Sequence, residues 1–335
     1  MIISKTPFRI SFFGGGTDYP AWFRENGGSV LATTINKYCY ISCRYLPQFF
    51  EHKHRIVYSK IEMVHDINEI EHPAVKAVVN FMGIKEGLEI HHDGDLPART
   101  GLGSSSAFTV GMLHTLYALK GIMPTKKRLA SEAIHIERNV LHESVGSQDQ
   151  VLTAIGGFNR IDFLNDDNFR EIPITVPQGR VEELENHLML FFTGVSRFAS
   201  EIAKKKIENM PNRKKELTIM QQMVDEALYI IVNNDDIVRF GKLLHESWLL
   251  KRSLSESVSN SQIDEIYTAA LEAGAIGGKL LGAGGGGFFL VFARPQDQPA
   301  IAKRLKNLLC IPFAFENQGS QIVVFQPDAT PRNRI

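Results

Sequence analysis

The residues best suited to chemistry in this chain lie in three glycine-rich segments and one pair of carboxylates. The most informative segment is LPARTGLGSSSA at 96–107. Gly101, Leu102 and Gly103 let a backbone close around an oxyanion, and Ser104, Ser105 and Ser106 place three hydroxyls at the start of a helix-compatible run. A helix beginning there aims its free N–H groups and positive dipole end at one spot, so the segment reads in outline as a phosphate cradle. Upstream, PFRISFFGGGTDY at 7–19 carries Arg9 on a strand that ends in Gly14, Gly15 and Gly16, after which Asp18 offers acceptor oxygens. That pattern suits recognition of a polyol. Downstream, GGKLLGAGGGGF at 277–288 formally holds GxGxxG at Gly282, Gly284 and Gly287. It leads into FFLVF, a strand-like run, which excludes the dinucleotide-binding reading, and Lys279 lacks the spacing of a phosphate-binding lysine loop. The segment is therefore read as a loop without side chains, lying close to another backbone or to a ligand. Glu137 and Asp149, separated by a break at Gly146 and Ser147, are placed to converge from consecutive helices.

Hydrophobic patterning supplies the elements that must carry these groups. Strands are predicted at 2–4, 9–13, 29–34, 38–45 and 55–59, a helix at 74–82 and a strand at 88–92. Helices follow at 107–119, 126–140 and 148–154, the last stopped by Gly156 and Gly157 before a strand at 158–163. Polar residues dominate 165–178, and a buried strand is predicted at 188–193. Beyond it come helices at 214–233, 236–250 and 262–273, a strand at 288–292, a helix at 298–309 and terminal strands near 313 and 322–325. The fold class is α+β, with helices on one face of an antiparallel sheet, in two domains spanning 1–180 and 181–335.

Composition narrows the class of function. The 335 residues are 44% hydrophobic, and 37 Lys and Arg balance 37 Asp and Glu, which gives no bulk attraction to nucleic acid or an anionic membrane. No stretch approaches the roughly 20 apolar residues of a membrane span, and residues 1–16 do not read as a secretory signal, so a cytoplasmic location is expected. Cys39, Cys43 and Cys310 are too few for a disulfide framework and are read as buried free thiols. The pairs His91/His92 and His135/His142 lack metal-ligand spacing. A small-molecule enzyme remains, compatible with a homodimer.

Taken in order, PFRISFFGGGTDY, LPARTGLGSSSA and KLLGAGGGG resemble the motifs of the GHMP small-molecule kinases, the group of galactokinase, homoserine kinase and mevalonate kinase. The resemblance spans nearly the whole chain. It implies a ribosomal S5 domain 2-like N-terminal domain, a ferredoxin-like C-terminal domain and an active site between them, with ATP as donor and Mg²⁺ as cofactor. Matched by position, Pro97, Gly101, Leu102, Gly103, Ser104, Ser105 and Ser106 would bind ATP, with Gly284 and Gly285 on the closing side. Ser105 and Glu137 would hold the metal. Asp149 would lie beside the accepting hydroxyl with Arg9 next to it, and Gly15, Gly16, Thr17 and Asp18 would face the sugar.

Phosphoryl transfer needs an aligned hydroxyl and neutralised phosphate charge more than covalent help. Next to Arg9, Asp149 is expected to orient the hydroxyl and accept its proton late, a contribution of about 10²- to 10⁴-fold. Galactokinases carry Glu and His where this chain has Gly15 and Gly16, which implies a larger pocket. The GGGTD form, with FTGVSR at 192–197 and ESWLLKRSLSESVSN at 246–260, is similar to the D-glycero-D-manno-heptose 7-phosphate kinases. That similarity implies transfer to the anomeric hydroxyl of a sugar already bearing a phosphate, with Arg197, Lys251 and Arg252 as cations for that phosphate. Two alternatives stay open: a kinase of a free sugar such as fucose or galactose, and a sugar- and ATP-binding regulator without catalysis.

Overall fold

The computed structural model describes residues 1–98, 100–194 and 199–327. The first half runs β1 (Ile2–Phe13), α1 (Pro20–Asn26), β2 (Gly28–Tyr45), β3 (His54–Val57), β4 (Ile61–Val64), α2 (Pro73–Met82), β5 (Leu88–Gly94), α3 (Ser104–Leu119), α4 (Lys126–His135), α5 (Gln148–Ile155), β6 (Phe158–Phe163) and β7 (Phe169–Pro173). The second runs α6 (Gln178–Asn186), β8 (Leu188–Phe192), α7 (Ala199–Asn209), α8 (Lys214–Val232), α9 (Val238–Ser253), α10 (Ser261–Glu272), β9 (Gly277–Leu280), β10 (Phe288–Phe292), α11 (Gln298–Arg304), β11 (Leu309–Cys310), β12 (Phe315–Glu316) and β13 (Gln321–Phe325).

Among the described residues two sheets form. In the larger, strands follow the order β13-β1-β2-β5-β3-β4, with β6 and β12 also on β2 and β7 on β6. The long β2 makes this possible, pairing with β6 over its first residues and with β5 over its last. Pairing is antiparallel except for β3 with β5. Two strands were expected where β1 runs unbroken, because Pro7 reads as a breaker; it sits instead beside a register shift, where a missing N–H is tolerated.

Helix α3 is buried nearly all round, with Ala107, Val110, Met112, Leu113 and Leu116 inaccessible. It lies close on β1 because the facing residues are small: Ser4 Oγ donates to Gly111 O at 3.0 Å, and Thr115 Oγ1 donates to Ser4 Oγ at 2.7 Å. Those bonds satisfy hydroxyls that water cannot reach. A helix anchored this firmly along its length holds its N-terminus at a fixed point.

The second sheet has the order β11-β8-β10-β9, the strand arrangement of a ferredoxin-like domain. Its last-joined strand corrects the reading of 277–280 as loop, since Gly277–Leu280 pairs with β10 from Phe292 to Phe289. Glycine weakens strand propensity, and here the partner strand overrides it. The two units share a core: Phe240 on α9 meets Phe12 and Phe13 of β1 with ring centroids 5.5 and 5.1 Å apart. Deleting such a ring costs about 3–5 kcal/mol. A division at residue 180 is not a clean cut, because β12 and β13 return to pair with β2 and β1. Cys39 and Cys43 are buried, whereas Cys310 lies on exposed β11, contrary to its expected burial. No helix among the described residues is long and apolar enough to cross a membrane.

Candidate active site

A cavity opens where the two sheets meet, lined from β1, the N-termini of α3 and α5, the turn at 143–146, and the ends of α9 and β9. The anion cradle lines it. The chain enters through Gly101 and Gly103, both with positive φ, and the helix starts at Ser104, three residues earlier than the apolar run suggested. Ser104, Ser105 and Ser106 all line the cavity, Ser105 being the exposed one. The cradle rests on the second unit: Phe288 N donates to Thr100 O at 3.1 Å. A methyl group on Gly101 would lie 2.6 Å from Leu281 O, and one on Gly282 would lie 2.5 Å from Gly101 Cα. Two backbones therefore touch without intervening side chains.

Glu137 reaches the same cavity through a local irregularity. The run expected as one helix over 126–140 is α-helical only to His135 and closes with a π turn, Ile136–Val140. Such turns shift side chains off the regular helical face and occur often at functional sites. Glu137 is buried and accepts hydrogen bonds at Oε2 from Ser106 Oγ (3.0 Å) and from Gln150 Nε2. Its Oε1 has no partner among the described residues. Burial pushes this carboxyl up to about 8, against the opposing effect of the hydrogen bonds from Gln150 and Ser106. A buried carboxylate oxygen with unused lone pairs, at the head of an anion cradle, fits a hard divalent cation. The hydroxyl bonded to Glu137 is that of Ser106, while Ser105 faces the open cavity.

Arg9 and Asp149 lie directly beside the cradle, 3.2 and 3.5 Å from where a methyl group on Gly103 would sit. Arg9 Nε donates to Asp149 Oδ1 at 2.7 Å and Nη2 to Oδ2 at 2.6 Å, while Nη1 donates to Gly101 O at 2.6 Å. The guanidinium is 3% exposed and the carboxylate 26%, so the pair presents its acidic member to the cavity. A bidentate pair fixes the carboxylate in rotation as well as position. Because Arg9 also grips the loop at Gly101, cradle and carboxylate are held in one frame.

Asp18 is buried, accepts Gly16 N at 2.8 Å, and lines the cavity with Gly15 and Gly16. Tyr19 joins them; burial, with the Asp18 and Asp149 carboxylates nearby, raises its phenol well above the usual range and keeps it protonated. Thr17 does not face the cavity, because its hydroxyl donates to Gly14 O and Ser29 O and accepts from Ser29 N. It builds the turn. Lys251 lines the cavity and donates to Leu280 O and Gly282 O at 2.7 and 2.6 Å. Arg252 points away into an ion pair with Asp264 at 2.8 Å, and Arg197 lies outside the described residues. Pro97 is exposed off the cavity, Leu102 is core, and Gly284 and Gly285 pack on the Val258 backbone.

Several lining residues escaped sequence reasoning. Lys279, weighed only as a misplaced phosphate-loop lysine, is buried on β9, lines the cavity and donates to Phe12 O at 2.6 Å. Gln148 and Gln150 flank Asp149 on α5, a placement that could have flagged them. Ser11 and the turn Glu143, Ser144, Val145 and Gly146 carried no such signal.

Comparison with known proteins agrees with this geometry. The family model for the GHMP kinases N terminal domain matches residues 68–157, and that for the GHMP kinases C terminal matches 226–309, together more than half of the chain. A D-glycero-alpha-D-manno-heptose 7-phosphate kinase of Campylobacter jejuni is 29% identical, the alignment covering 91% of this chain and 93% of that one. A mevalonate kinase of Pyrococcus horikoshii is 30% identical over 68% of this chain and 65% of its own. Among solved structures, a D-glycero-D-manno-heptose 1-phosphate kinase from Bacteroides thetaiotaomicron superposes with a TM-score of 0.78 at 24% identity, covering 97% of this chain and all of that one. The cradle, the paired carboxylates and the two-sheet architecture thus have one common explanation: the chain belongs to the GHMP kinase family and is a phosphotransferase acting on an alcohol group.

Proposed function

We propose that this enzyme transfers the terminal phosphoryl group of ATP to the anomeric hydroxyl of D-glycero-D-manno-heptose 7-phosphate, giving the 1,7-bisphosphate. The observation that carries the proposal is the near full-length match to the Campylobacter jejuni heptose 7-phosphate kinase. In this reading the N–H groups of Ser104, Ser105 and Ser106 bind donor phosphates, and Ser105 and Glu137 hold Mg²⁺. A cation held there would neutralise charge on the phosphate oxygens. Asp149, fixed by Arg9, accepts a hydrogen bond from the acceptor hydroxyl, aligns its oxygen with the donor and takes the proton as the new bond forms. Asp18 and the backbone around Gly15 and Gly16 hold the sugar. Lys251 and Lys279, both buried and lining the cavity, supply positive charge that offsets part of the entering phosphate charge. Use of ATP fits a cytoplasmic location.

The cations also favour a second reading. Of the two described candidates, Lys251 lines the cavity and Arg252 is committed to Asp264. An unphosphorylated acceptor such as fucose needs no further cation, and a bifunctional fucokinase/GDP-fucose pyrophosphorylase of Arabidopsis thaliana is 26% identical over 91% of this chain, though that is 31% of its own length. ADP release measured against free and phosphorylated heptose, mannose, fucose and galactose separates the two. The heptose reading requires the highest kcat/KM with heptose 7-phosphate and a product phosphorylated at C1. Good turnover of free fucose or galactose with none of heptose 7-phosphate overturns it.

A further inference from the structure

In the loop that follows β1, three successive glycines have different reasons to be glycine. Gly14 has φ +79, and a methyl group there would strike Ser29 O at 1.9 Å; Gly16 has φ +116. Gly15 has neither constraint. Its φ is negative, and a methyl group would meet only Ser11 Oγ at 3.8 Å and Gln148 Nε2 at 4.0 Å, both ordinary contacts. Neither the backbone nor the neighbouring protein atoms account for the missing side chain. What its absence leaves is space inside the cavity, since Gly15, Ser11 and Gln148 all line it.

The two side chains facing that space are incomplete. Ser11 is 6% exposed and its hydroxyl has no partner among the described residues. Gln148 Oε1 is likewise buried without a partner among them. A buried polar atom left unsatisfied costs about 1–3 kcal/mol, and Ser11 Oγ, facing the opening beside Gln148 Nε2, points to a guest that satisfies it. A hydroxyl fits: it can accept from Gln148 Nε2, which faces the space, and donate to Ser11 Oγ. Charge does not fit as well, because neither Ser11 nor Gln148 carries any.

We infer that Gly15, Ser11 and Gln148 form a specificity notch that admits one hydroxyl-bearing carbon of the acceptor, with the hydroxyl shared between Ser11 Oγ and the side-chain amide of Gln148. The inference rests on the sugar-kinase reading above and adds the part of the site that selects among sugars. Asp149 and Asp18 remain the groups closest to the transfer and the ring; the notch acts on binding.

The test is steady-state kinetics of the full chain with heptose 7-phosphate and L-fucose as acceptors, comparing Gly15→Ala, Ser11→Ala and Gln148→Leu. Gly15→Ala raises the acceptor KM by about tenfold or more, while the KM for ATP and the thermal midpoint stay at wild-type values. A merely structural role would move the latter two. Ser11→Ala and Gln148→Leu each lower kcat/KM for the acceptor roughly 5- to 10-fold, the worth of one hydrogen bond. The double variant loses less than the product of the two, because both act on one hydroxyl. Acceptor KM unchanged in all three single variants, or fully multiplicative losses in the double, overturns the notch while leaving the kinase reading intact. A wild-type enzyme silent on every sugar of the wider panel overturns both.

Discussion

Replacing Gly282 by Ala tests whether backbone-to-backbone contact between the two units sets the position of the phosphate cradle. Gly282 has φ +70, and its added methyl carbon would sit 2.5 Å from Gly101 Cα and 3.1 Å from Gly101 O. That is roughly 1 Å short of normal carbon–carbon contact, and every atom struck belongs to backbone, so no side chain can rotate away. The loop carrying Gly101 to Ser106 has to retreat by about that amount. A displacement of about 1 Å at a reacting centre costs on the order of 10²-fold in rate. Backbone strain adds a separate term, about 1–2 kcal/mol for a non-glycine residue in the left-handed region. Gly121 separates the two effects, since its φ is +69 and nothing lies within 4 Å of a methyl group there. Gly121→Ala therefore carries the strain without the collision. Gly282→Ala should lose at least as much thermal stability as Gly121→Ala, and only Gly282→Ala loses kcat, by about 10²-fold in a coupled ADP-release assay. Gly282→Ala with kcat within about twofold of Gly121→Ala would refute the reasoning, because the cradle would then tolerate movement against the glycine strand.

Three further outcomes follow from the site and the core. Asp149→Asn keeps a similar shape beside Arg9 but loses the charge and the proton acceptor; turnover should fall by about 10³-fold or more with nucleotide affinity by calorimetry near wild type, and retained full activity refutes the role. Glu137→Gln removes a buried carboxyl held up at about 8, so the variant should melt no lower than wild type while its Mg²⁺-dependent turnover is lost; undiminished turnover rules Glu137 out as the metal ligand. His114, hydrogen-bonded through Nδ1 to Ser320 Oγ at 3.0 Å, is lowered by burial from 6.5 to about 4. The unfolded chain therefore binds a proton that the native state refuses, and stability drops as pH falls from 6.5 toward 4, by about 3 kcal/mol at most. Urea unfolding of wild type and His114→Gln should converge toward acid pH, and parallel profiles between pH 7 and 4.5 contradict this origin.

Much of this was legible before any coordinates. A continuous apolar run located α3, and apolar periodicity α8 and α10, to within a few residues, because sequence pattern records burial. Motif spacing likewise brought Arg9, Asp149, Glu137 and the serines to one cavity. What escaped was structure imposed by partners. The strand Gly277–Leu280 exists because β10 pairs with it, and without that strand Lys279 could not be aimed at the cavity. The π turn at Ile136–Val140 leaves no periodic trace over five residues, yet it governs where Glu137 points. Arg252 read as a substrate cation only because its acceptor Asp264, on another helix, is 12 positions away and unremarkable in sequence. Polar segments hid β7 and α6, whose exposed faces mask the few buried anchors, Phe169, Arg180 and Leu184.

The pairing of β13 with β1 has a consequence for how the chain folds. Among the described residues, Ile2, Ile3, Ser4 and Lys5 acquire their outer neighbour from Gln321–Phe325. During synthesis the first sheet therefore waits with an open edge while more than 300 residues follow. Contacts of such sequence separation carry a large closure entropy and form late, and an uncovered edge strand is where a nascent chain pairs wrongly. The N-terminal unit on its own should thus be prone to self-association, and supplying the β13 sequence as a separate peptide should suppress it.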